Sequence, residues 1–83
     1  MIFVETYVTA MNDSHIAFRV EFSEKRFSWS DVNERGNALL ILDKSQNVIY
    51  SHYYFREGFY REKLFEEEAV NEAKEIARAV FGR

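Results

Sequence analysis

The apolar residues of this chain change their period once, and that single change limits what it can fold into. Through residue 55 apolar and polar positions alternate in short runs; from about Glu66 they recur at helical spacing. Strands followed by one helix predict an antiparallel sheet with a helix laid on it, because no helix stands between strands to carry a parallel crossover.

Ile2, Val4, Val8 and Ala10 alternate with Phe3, Glu5, Tyr7 and Thr9, and Thr6 is the one polar residue on the apolar side. Asn12-Asp13-Ser14 supplies turn formers. His15 to Phe22 resumes the alternation, with Ile16, Phe18, Val20 and Phe22 opposite His15, Ala17, Arg19 and Glu21. These segments form a first hairpin. Ser23 to Asn37 breaks the pattern, yet Phe27, Trp29 and Val32 recur inside it and predict a loop lying against the core. Asp31 and Glu34 stand at capping-box spacing with Gly36 suited to a left-handed stop, which allows one short helical turn there.

Ala38 to Asp43 is apolar on both sides, as a central strand covered above and below would be. Lys44 to Asn47 is a polar turn into Val48 to Phe55, which completes a second hairpin. Strict alternation puts Val48, Tyr50, His52 and Tyr54 on one side of that strand and Ile49, Ser51, Tyr53 and Phe55 on the other. Arg56-Glu57-Gly58 marks a connection. Beyond it Ala69, Val70, Ala73, Ile76, Ala77 and Val80 form a helical stripe, with acids crowding its start, Arg78 near its end and Gly82 as a stop. The expected fold is α+β and two-layered: a four-stranded antiparallel sheet of two hairpins in ββββα order, with one C-terminal amphipathic helix on one face. At 83 residues the chain has room for one core, so residues 1–83 are read as a single domain.

Composition narrows the function classes. Three isolated glycines build no phosphate-cradling loop, and the absence of cysteine removes thiol nucleophiles and cysteine-based zinc sites. His15 and His52 lie in different hairpins without ligand-like spacing, so no metal and no cofactor are expected. His52, between Tyr50 and Tyr54, is the one candidate general base, and no motif surrounds it; the chain is read as a non-enzyme with no catalytic residue. The N-terminus meets Glu5 at once and no long apolar stretch follows, so neither a signal peptide nor a membrane partner is expected, and the cytoplasm is the expected compartment. A net charge of −3 is too mild to identify a partner.

Aromatics are the anomaly, at 17% of the chain. They crowd between residues 50 and 65, and one helix does not have the surface to cover both them and a strand that is apolar on two sides. Either the Phe27-Trp29 loop and the Phe59 to Phe65 connection close over the second sheet face, or part of it is displayed. In the second case Tyr50, Tyr53, Tyr54, Arg56, Phe59, Tyr60 and Arg61 form a surface for a protein partner or a homodimer, since tyrosine and arginine dominate binding hot spots. The alternative is a small RNA- or single-stranded-DNA-binding domain that stacks bases on Tyr50, His52 and Tyr54, with Arg19, Arg26, Arg56, Arg61 and Lys63 on phosphates. Glu57, Glu62 and the Glu66-Glu67-Glu68 run oppose it. In size and in lacking a catalytic motif, the chain resembles the small phage-encoded domains that inhibit host defence systems, which would imply an inhibitor that occludes a partner's site.

Overall fold

A computed structural model of the protein describes residues 2–25, 33–55 and 62–82. Four strands, β1 (Ile2–Met11), β2 (His15–Lys25), β3 (Asn33–Asp43) and β4 (Val48–Phe55), precede one helix, α1 (Glu62–Phe81). The strands lie side by side in the order β1-β2-β3-β4, each antiparallel to its neighbour, and α1 packs on one face of the sheet. This is the two-layer α+β arrangement that the change of period calls for.

β2 and β3 run longer than the alternation suggests. Pairing continues from His15 opposite Asp43 to Lys25 opposite Asn33, so much of the segment expected to loop is strand, and Glu34 to Gly36 are strand residues and no helical turn. Mixed charges hide a strand from a hydrophobic pattern, whereas the ladder needs only backbone N–H and C=O groups. Phe27, Trp29 and Asp31 lie outside the described residues.

The turns are held by side chains that mimic backbone. Asn12 Oδ1 accepts from the amides of Ser14 and His15, both at 2.8 Å. Asp43 Oδ1 accepts from the amides of Ser45 and Asn47, both at 2.9 Å, while Asn47 donates its side-chain amide to Oδ2 at 3.2 Å. Gln46 takes the left-handed conformation (φ 65°) that this tight turn requires.

The core lies between sheet and helix. Ile16, Phe18, Val20 and Phe22 of β2 and Ala38, Leu40 and Leu42 of β3 are buried against Phe65, Ala69, Ala73 and Ala77 of α1. The four helix residues recur every fourth position, one ridge along the helix. Three of them are alanines, so the axis comes close to the sheet and large sheet residues fill the gap. Toward the C-terminal end Ile76, Val80 and Phe81 join the packing, and the Gly82 amide donates to the Arg78 carbonyl at 2.9 Å where the helix stops.

At the other end of the helix Phe65 packs at a tilt against Phe22 (ring centroids 4.9 Å apart), and Phe22 stacks on Phe55 (5.6 Å). Phe22 and Phe55 both pair with Gly36, on either side of β3. A Cβ there would stand 2.7 Å from Phe22 Cε2, 2.8 Å from Phe55 Cδ1 and 2.9 Å from the Tyr54 carbonyl oxygen. Gly36 is the space into which the rings fit, not a helix stop.

Three outcomes are expected. Gly36→Ala lowers the urea-unfolding free energy by about 1–3 kcal/mol, more than the roughly 0.4–1 kcal/mol that a Gly→Ala change returns through the unfolded chain. Thr6→Val raises it by about 1 kcal/mol, because the Thr6 hydroxyl is buried without a hydrogen-bond partner and valine keeps its shape. The amide of Asn47, with those of its side chain and Ser45, holds the Asp43 carboxyl below its ordinary 3.8; the stability it supplies is complete above that value and is lost as pH falls through the lowered one. Denaturation midpoints of the protein and of Asp43→Ala therefore differ at pH 7 and converge in acid below pH 3.8.

Candidate functional site

Alternation leaves a second sheet face opposite α1. Cross-strand pairing orders it into rows: Glu5, Glu21, Asn37 and Tyr54; then Tyr7, Arg19, Leu39 and His52; then Ala10, Ala17, Ile41 and Tyr50. Among the described residues no element lies over this face.

Two irregularities decide which residues reach it. Val8 pairs with Phe18 and Ala10 with Ala17, so Thr9 is an extra residue on β1, its hydroxyl donating to the Ala17 carbonyl at 3.3 Å. Ala10 is thereby turned from the helix side to the open side. On β4, Tyr50 pairs with Ile41 and Val48 with Leu42, leaving Ile49 as the extra residue. Strict alternation joins Val48 to Tyr50, but the bulge rotates Val48 onto the helix side, where it packs on the core, and leaves Ile49 54% exposed.

The open face has two halves of different character. On β1 and β2, Tyr7 donates to the Glu5 carboxylate, Arg19 lies over the Tyr7 ring (5.3 Å to its centroid), and Arg19 meets Glu21 at 3.5 Å. The bond to Glu5 raises the Tyr7 phenol above its ordinary value, with lesser contributions from burial and from both carboxylates, against Arg19. On β3 and β4, half-buried Leu39 and Ile41 lie beside Tyr50, His52 and Tyr54. Tyr50 is 49% and Tyr54 50% exposed, and the His52 and Tyr54 rings touch, with centroids 4.3 Å apart.

The seven residues expected to form a partner surface therefore separate. Tyr50 and Tyr54 share the open face. Tyr53 lies on the opposite one, parallel to Phe55 with centroids 6.3 Å apart and packed on the core. Burial, and then Glu66, push its phenol up. Tyr53 also lines an open depression of about 510 Å³ with Glu66, Glu67, Val70 and Asn71. Arg56, Phe59, Tyr60 and Arg61 lie outside the described residues. Leu39, Ile41, Tyr7 and Arg19 belong to the open face and were absent from the expected set. The two-sided apolar character of β3 and the alternation of β1 and β2 were the signals for them.

No described carboxylate forms an ion pair with His52, and no three His, Asp or Glu side chains converge among the described residues. Among these residues no helix is long and apolar enough to cross a membrane. Compared with protein-family models, with curated proteins and with solved structures, the chain matches none.

Proposed function

We propose that this chain is a non-enzymatic protein-binding module, an inhibitor or regulator of cytoplasmic type that occludes a site on a protein partner with its open sheet face. One observation carries this reading: Tyr50 and Tyr54, each half exposed, flank His52 beside Leu39 and Ile41 on a face that no described element covers. Tyrosine supplies large contact area with few rotatable bonds, so little entropy is lost when it is ordered at an interface. The apolar patch gives the partner a desolvated centre, and Glu5, Arg19 and Glu21 give it a charged rim.

Base stacking on the same aromatics is the competing use of such a face. The charge on the face weighs against it. Glu5 and Glu21 stand directly opposite each other across β1 and β2, and Arg19, one row along on β2, is already engaged by Glu21. A phosphate laid over these two carboxylates meets repulsion.

The test is a paired substitution, Tyr50→Thr with Tyr54→Thr, which keeps residues of high strand propensity on exposed strand positions and changes stability by no more than about 1 kcal/mol. Cross-linking capture from the native cells is expected to recover a discrete set of proteins with the unaltered chain and to lose it with the variant. Labelled single-stranded RNA or DNA is expected to show the same fluorescence polarisation with both. Oligonucleotide binding that the substitutions abolish would overturn the proposal in favour of the stacking reading.

A further inference from the structure

β4 is an edge strand, and no described strand pairs with its outer side. A free edge presents a row of unused N–H and C=O groups, and folded proteins ordinarily blunt it with charge, proline or a bulge. The other edge, β1, is blunted in this way: Glu5 stands in it and the Thr9 bulge breaks its line. β4 is not. From Ser45 to Phe55 there is no Asp, Glu, Lys, Arg, Pro or Gly, and the Ile49 bulge sits at the start of the strand, leaving Tyr50 to Phe55 as a regular six-residue run. A segment of high β-propensity, without charge or breakers, is the kind that pairs with itself.

We infer that β4 pairs through the outer edge of Tyr50 to Tyr54, antiparallel, with β4 of a second copy of this chain, joining two sheets into one of eight strands. Self-pairing matches the strand to its own pattern. With the two-fold axis at His52, Tyr50 of each copy faces Tyr54 of the other, so the open-face aromatics form two cross-strand pairs with no charged side chain opposite another. The arrangement closes on itself, and the edges left outermost are the two β1 strands, the ones already protected. The carboxylates of the open face, Glu5 and Glu21, lie on β1 and β2, away from the axis. This pairing runs through backbone and does not depend on the partner-binding reading: Tyr50→Thr with Tyr54→Thr removes side chains from the face and leaves the edge intact.

The chain has no cysteine, so a single introduced thiol reports position without interference. Light scattering over a dilution series is expected to give twice the chain mass of 9.9 kDa. Under mild oxidation His52→Cys is expected to form a covalent dimer in preference to Ala17→Cys, in the middle of the open face, and Glu75→Cys, on the exposed side of α1. His52→Glu, which sets two carboxylates against each other at the axis, is expected to return the mass to 9.9 kDa with the circular dichroism unchanged. A mass of 9.9 kDa at every concentration of the unaltered chain would overturn the inference, whether a foreign strand or none then covers the edge. A dimer that links at position 17, or one that the thiol at position 52 fails to trap, would overturn it equally.

Discussion

The contact of Phe65 with Phe22 is where helix and sheet are fastened together, and it exists because Gly36 has no side chain. Phe22, Gly36 and Phe55 are neighbours across three strands, so the ring stack occupies the volume a Cβ would claim. Aromatic stacking adds roughly 0.5–1.5 kcal/mol per pair to the area it buries. It also sets the height at which α1 begins its path over the sheet. From there the alanine ridge of Ala69, Ala73 and Ala77 keeps the helix close, and Ile16, Phe18, Leu40 and Leu42 fill what the alanines leave.

That economy has a consequence on the far side. One helix covers one face of a four-stranded sheet, and β3 is apolar toward both. Leu39 and Ile41 stand half-buried, and among the described residues their neighbours on this face are Tyr50, His52 and Tyr54 on β4, and Ala17 and Arg19 on β2. The polar half of the face looks after itself through the Glu5, Tyr7, Arg19 and Glu21 contacts, whereas the aromatic half has surface to offer. The proposed interaction through the face and the inferred pairing through the β4 edge both start from a helix laid on one side of the sheet.

Much of this was legible in the residues. The apolar sets of β2 and of α1 appear in the core almost as their periods place them: Ile16, Phe18, Val20 and Phe22 at every second position, Ala69, Ala73 and Ala77 at every fourth. The aromatic strand around Tyr50 and Tyr54 was legible as well, and so was the apolar character of β3 on both sides. The sites of error share one cause. Val48, Ala10 and Gly36 were each assigned by a local rule, alternation or helix termination, and each is governed by a neighbour on another strand. A bulge is a two-against-one count between strands, so a single strand carries no sign of it.

The sequence by itself determined the class of fold, the order of its elements and which residues are apolar enough to be buried, because period and composition act over a few neighbouring positions. Only the tertiary structure decided the strand order, the rotation of Val48 and Ala10 at the two bulges, and the use of Gly36 as space for two rings. Those outcomes depend on register between segments distant in the chain, and register is set by cross-strand hydrogen bonds and packing that no local pattern contains.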